Sequence, residues 1–231
     1  MEISLTAKQI KRLEARERTR LKNEPPCLTL GEEIFNAASH GLGALLAVAG
    51  MVLLLVRSAT GLEIMASCFY GISMTVMMLM SGLYHALPRG GAAKRVCRRF
   101  DYTSIYLLIG GTFAPIFLVY LGNVVGIVLF CVQWGVILCG VTLVMAFGPG
   151  KWRPLHFTLY FLLGWSGLLF LPTFYLNAPV LLGFILAGGV VYTVGMIPFA
   201  VKRKYNHCIW HVFVLAAATL HWFGIYTQIY A

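Results

Sequence analysis

Charge is what this sequence has least of. Only 11% of its 231 residues are Asp, Glu, Lys or Arg, against about 25% in a soluble domain. With 59% apolar residues and a mean hydropathy of +0.81, water is excluded as the main solvent. Paired cysteines are lacking too. Cys27, Cys68, Cys97, Cys131, Cys139 and Cys208 form no CxxC, and several fall inside apolar runs or beside basic loops, which argues against a disulfide framework. No short apolar segment with a positive flank and a small-residue cleavage site comes first, so the first apolar segment is expected to stay in the mature chain. Stacking aromatics are missing around the scattered basic residues, so the net charge of +10 does not indicate nucleic acid.

Long apolar runs are what the sequence has instead. A bilayer crossing needs roughly 20 apolar residues, and seven segments qualify: 36–56, 64–87, 102–121, 124–147, 155–176, 180–201 and 209–229. The linkers are short, so the segments form one bundle. Lys and Arg number seven in the tail, then one, five, none, two, none and three in successive loops, and none after the last segment. Alternate segments thus hold 17 of the 18, and the positive-inside rule assigns them to the cytoplasm. An even number of spans would put the tail and Lys202-Arg203-Lys204 on opposite sides. The expected fold is an all-α membrane protein of the inner (plasma) membrane, a seven-transmembrane helix bundle with its N-terminus cytoplasmic and its C-terminus external. Residues 1–30 form a cytoplasmic basic tail and 31–231 the bundle. In the tail, Ile3, Ile10 and Leu13 alternate with Lys8, Lys11, Arg12, Arg16, Arg18 and Arg20 ahead of Pro25-Pro26. Two readings stand: a basic amphipathic helix on anionic lipid, or a solvated tail whose charges only fix topology.

Ionisable groups inside spans are costly and point to function. Placed by depth, Glu33 and His40 start span one, His85 ends span two, Asp101 opens span three, His156 opens span five, and His207 and His211 open span seven. Five of the six histidines therefore share the cytoplasmic leaflet, and His221 lies about 15 Å deeper than His211 at 1.5 Å per residue. His207 and His211, spaced i, i+4, stack on one helix face and suit a single metal ion. His85 is the third candidate ligand, with Ser81 one turn behind it, and Asp101 lies in the same layer with Ser104 one turn on. Three neutral histidines and an open position form a catalytic zinc set, whereas a fourth protein ligand suggests a structural one. Glu33, Asn36 and His40 make a polar stripe that either supports the site from behind its ligands or caps the helix, Glu33 favouring its positive end. Asp101 likewise either serves the metal site or caps span three. His156 and His221 lack histidine partners at helical spacing and read as packing or capping residues. Cys208 points about 100° away from His207 and is not expected to ligate. Gly110, Gly111, Pro115, Pro172 and Pro198 mark close packing and kinks.

The stretches Glu32 to Gly41, Ser81 to His85, Asp101 to Pro115, Gly188 to Tyr192 and His207 to His211, in this order and at these depths, resemble the bacterial hemolysin III family. That family belongs to the progestin and adipoQ receptor superfamily, which includes the adiponectin receptors. The resemblance runs from about Gly31 to the C-terminus. It implies a zinc ion near the cytoplasmic surface on His85, His207 and His211, with Ser81 and Asp101 at the family's serine and aspartate positions. Relatives that include alkaline ceramidases hydrolyse lipid amides, and the bacterial branch is linked by name to hemolysis and also to membrane-lipid homeostasis. This chain departs from the pattern at Gly82, Tyr102, Gly110 and Ala114, which bears on hydrogen bonding around the metal and on substrate fit rather than on the ligands. The leading expectation is a zinc-dependent hydrolase of an amide or ester in a membrane lipid that enters laterally, with Asp101 and Ser81 as catalytic groups. The alternative is a zinc-stabilised sensor or receptor of membrane state. A pore-forming hemolysin is less favoured because no span after the first carries a polar stripe, and the absence of lysine from all seven segments disfavours retinal binding.

Overall fold

The structure, a computed structural model, describes residues 6–201 and 203–230; Ile3, Lys202 and Ala231 lie outside the described residues. Thr6 and Gln9 form a capping box that starts α1 (Ala7–Asn23), which stops at Glu24 ahead of Pro25. The described part of the tail is therefore helical, and none of its helical residues is buried. The same box, Thr29 with Glu32 and Thr60 with Glu63, starts α2 (Leu30–Arg57) and α3 (Gly61–Ala86). α4 (Ala92–Ala114) runs into a π-helical turn, Pro115–Tyr120, where Pro115 has no N–H to donate. α5 (Val124–Phe147) follows. Span five is broken into α6 (Arg153–Gly164), a 3₁₀ turn (Ser166–Phe170) and α7 (Leu171–Asn177), which has Pro172 in its first turn. α8 (Pro179–Ala200) carries Pro198 inside, and α9 (Asn206–Ile229) closes the bundle.

Seven of these helical stretches are long and apolar enough to cross a membrane, with α6 and α7 together making one. Their boundaries differ from the apolar segments mainly beside the tail and the basic loops, where α2 starts at Leu30 and α4 at Ala92. Apolarity marks the part of a helix in lipid, whereas Lys and Arg continue a helix into the headgroups with good propensity. One expectation fails here. Asp101 sits nearly three turns inside α4, where backbone N–H groups already have intrahelical partners, so it cannot cap that helix.

Span three is the most buried. α3 packs against α2 and α4, α9 against α8 and α2, and α5 against α4. α2 and α3 approach closely at Gly82, where a Cβ would lie 3.2 Å from the Gly41 nitrogen and 3.4 Å from the Ala37 carbonyl oxygen. Glycine at this position thus lets the helix carrying His85 sit tightly against the helix carrying His40. α6 packs on α4 and α5 but not along α8. Side chains bridge that gap instead: Phe157 meets Phe199 edge-on at 5.7 Å, and Trp165 Nε1 donates to Thr193 Oγ1 at 3.2 Å.

Candidate metal centre

His85 lies in the last turn of α3, and His207 and His211 lie on successive turns at the start of α9. Their imidazoles meet where the end of α3 and the start of α9 come together. Nε2 of His207 is 3.2 Å from Nε2 of His85 and 3.3 Å from Nε2 of His211, and one nitrogen of each lies within 4.8 Å of the others. Among the described residues this is the one group of three such side chains close enough to hold a metal ion.

Glu33 fixes the orientation of His85. Its Oε2 is 2.6 Å from His85 Nδ1, so that nitrogen donates and Nε2 is left with its lone pair toward the cluster. The other carboxylate oxygen accepts from Lys94 Nζ at 2.7 Å, and Lys94 donates also to the Leu87 carbonyl at 2.9 Å. Both side chains are sheltered, Lys94 at 1% and Glu33 at 15% exposure. The helix cap of α2 is formed by the neighbouring Glu32, which also accepts from the Tyr205 backbone N–H at 2.7 Å. Glu32 thus closes the capping box with Thr29, while Glu33 stays in the first turn, near the positive end of the helix, and reaches His85 and Lys94.

His40 stacks on His211 with ring centroids 3.8 Å apart. Asn36, one turn earlier, is fully buried, and among the described residues neither its side-chain amide nor the His40 ring nitrogens has a hydrogen-bond partner. Such unpaired buried groups are rare enough to need a role. Ser81 and Asp101 line a cavity together with His40, His207 and His211. Ser104 donates to the Asp101 backbone carbonyl at 2.8 Å, an ordinary helical bond that leaves the carboxylate free. Cys208 points its sulfur at the Glu32 carbonyl, away from the cluster. His156 bonds the Tyr106 hydroxyl at 2.9 Å and takes no part in the centre.

The cavity runs inward from the histidines between α4, α6, α8 and α9, and its walls are overwhelmingly apolar. Pro26 and Arg98 line it at the histidine end. Arg98 donates to the carbonyls of Asn23 and Glu24 at 2.8 and 3.1 Å, while the Asn23 amide bonds the Phe147 carbonyl and the Gly150 N–H at 3.0 and 2.8 Å. The end of the tail is thereby strapped across the loop after α5. Sequence reasoning passed over Lys94 and Arg98, counting both as topology charges. With the helix begun at Ala92, the signal is available: positions 94, 98 and 101 fall on one face.

A multi-pass bundle with a sheltered histidine triad at one end of an apolar cavity defines a class of integral membrane protein. The model of the Haemolysin-III related family matches residues 28–222, and the chain belongs to that family. It is 32% identical to Hemolysin-3 of Bacillus cereus over 200 residues, covering 84% of this chain and 90% of that one. A Hemolysin-3 homolog of Bacillus subtilis (strain 168) is 30% identical over 202 residues, covering 85% and 94%. More distantly, the human Monocyte to macrophage differentiation factor, a member of the progestin and adipoQ receptor superfamily, is 24% identical over 216 residues, covering 90% and 87%.

Proposed function

We propose that this protein is a zinc-dependent hydrolase of an amide or ester bond in a membrane lipid, acting in the plasma membrane on its cytoplasmic side. The observation that carries this is three imidazole nitrogens converging at the head of an apolar cavity that also holds a carboxylate and a hydroxyl. For Zn–N bonds of about 2.0–2.1 Å in a tetrahedron, ligand nitrogens stand about 3.3–3.4 Å apart. The two short spacings here, 3.2 and 3.3 Å, fit that ion. Three neutral imidazoles favour zinc over magnesium or calcium, which take oxygen ligands. His85, His207 and His211 would hold it, and when bound it supplies a Lewis acid that polarises a carbonyl and acidifies water.

The chain's own residues do the rest. Asp101 orients the attacking water and takes its proton at a carboxylate oxygen, and Ser81 Oγ donates to the substrate carbonyl or positions Asp101. Glu33 holds His85 in the tautomer that presents Nε2. Asn36 and His40 back the site from α2, with polar atoms that a bound water chain would satisfy. The substrate's chain enters through the gap between α6 and α8, which only side chains bridge. Purified protein should release fatty acid or amine from a ceramide-like or ester lipid, and His85→Ala, His207→Ala and His211→Ala should each abolish release. Equal rates in wild type and variants would reject the hydrolase. Bound zinc without turnover on any lipid offered would favour the sensor reading.

A further inference from the structure

The inner end of the cavity is not uniformly apolar. His221 lies ten residues beyond His211 on α9, about 15 Å deeper along the helix, and lines this end with Tyr192 of α8 and Trp165 of the span-five break. Most polar atoms here are already committed. Thr112 donates to the Leu108 carbonyl at 2.8 Å, Trp165 to Thr193 at 3.2 Å, and Thr193 to the Gly189 carbonyl at 2.8 Å.

His221 is committed on one side alone. Its Nε2 lies 3.2 Å from the Ile185 carbonyl oxygen, which can only accept, so Nε2 carries the proton and Nδ1 the lone pair. The one hydrogen bond His221 makes to a described residue is through Nε2, which leaves Nδ1 available, and Tyr192 brings a hydroxyl on the neighbouring ring. The two rings are neighbours, with centroids 5.7 Å apart. The imidazole is also held in place, because it packs on Gly188 so closely that any side chain there would collide with it. An acceptor and a donor on neighbouring rings thus both line the cavity at membrane depth, where polar groups favour a partner.

We propose that His221 and Tyr192 form a polar subsite for a hydroxyl group carried part-way along the chain of a lipid lying in the cavity. The lipid hydroxyl donates to His221 Nδ1 and accepts from the Tyr192 hydroxyl, so both protein groups are paired in one contact. An extended chain advances about 1.2 Å per bond, as a backbone of three bonds per 3.6 Å does. A polar end at the histidine cluster therefore puts the hydroxyl roughly ten to fifteen bonds away. The ligand class is a single-chain amphiphile hydroxylated near mid-chain. This rests on the reading that the cavity takes a lipid chain from its histidine end, and not on hydrolysis.

The test compares octadecanoic, 12-hydroxyoctadecanoic and 3-hydroxyoctadecanoic acids for binding to the purified full-length protein in nanodiscs, read by quenching of tryptophan fluorescence. Two hydrogen bonds are expected to make the 12-hydroxy acid bind about three- to tenfold more tightly than either other acid. His221→Phe and Tyr192→Phe should each reduce that ratio toward one. Equal binding of all three acids by the wild type, or an equal gain from the 3-hydroxy acid, overturns the subsite without reference to any variant. A ratio unchanged in Tyr192→Phe, which removes one oxygen and keeps the ring, and in His221→Phe overturns it as well. The hydrolase reading fails separately: a preparation with no turnover but an intact 12-hydroxy preference rejects the activity and supports the subsite.

Discussion

At the scale of single residues, the centre is organised around Glu33, whose two carboxylate oxygens serve different masters. One orients His85 and the other holds Lys94. Glu33→Gln keeps the shape but removes the charge that makes the His85 nitrogen facing the cluster a better donor. Zinc affinity, measured by competition with a chelator, should fall about 10- to 100-fold while the protein stays folded. Lys94→Met acts on the same pair from the other side. It strips a cation from a sheltered carboxylate and should cost about 3 kcal/mol, read as a lower unfolding temperature. If the variant unfolds like wild type, Lys94 is only a topology charge. Asp101→Asn separates chemistry from ligation, because Asp101 lies outside the histidine triad and does not cap α4. Zinc content should hold while hydrolysis drops ~10²- to 10⁴-fold, the usual contribution of acid–base catalysis. Zinc lost together with activity would make Asp101 a ligand.

At the scale of elements, the tail tests whether a helix with no buried residue is nonetheless docked. Asn23 is the clamp, with hydrogen bonds to both sides of the loop after α5, and a side chain at Gly150 would strike the Lys22 backbone. Asn23→Ala should raise trypsin cleavage after Lys22 about tenfold, the effect of two lost hydrogen bonds on local opening. No change would mean that the strap is held by Arg98 alone. The helices themselves were largely legible, because a bilayer demands about twenty apolar residues wherever it is crossed. Their cytoplasmic ends were not. Ala92 to Arg99 read as a charged loop, yet it forms the first turns of α4, and only that extension shows Lys94, Arg98 and Asp101 sharing a face. The three histidines were legible through depth, since His85 ends one helix and His207 starts another in the same leaflet. Glu32 and Glu33 were not separable from sequence. Adjacent on one turn, they diverge because the partners of Glu33 come from α3 and α4, while Glu32 folds back on Thr29 and reaches Tyr205.

At the scale of the molecule, one argument predicts which side of the membrane the centre faces, and a second shows which segments share that side. The first is charge: 17 of 18 basic residues fall in alternate segments, and the positive-inside rule draws those segments to the cytoplasm. The second is geometry, which does not depend on charge bias. Arg98 bonds the end of the tail, the tail bonds the loop after α5, and Glu32 at the start of α2 bonds the backbone just before α9. Among the described residues, the tail and the three basic loops thus share one face, and Arg57 is the one basic residue on the other. An odd number of crossings follows, with the C-terminus opposite the metal centre. A reporter fused after residue 231 should therefore read as external and one inserted between residues 88 and 99 as cytoplasmic. Cys27 gives a check without fusion, being exposed in the strap beside the mouth of the cavity. A membrane-impermeant maleimide should label it in inverted vesicles and not in intact cells, with Cys27→Ser as the control. Labelling from outside would place the tail, and with it the histidines, on the external face, and would overturn the assignment of a cytoplasmic metal centre.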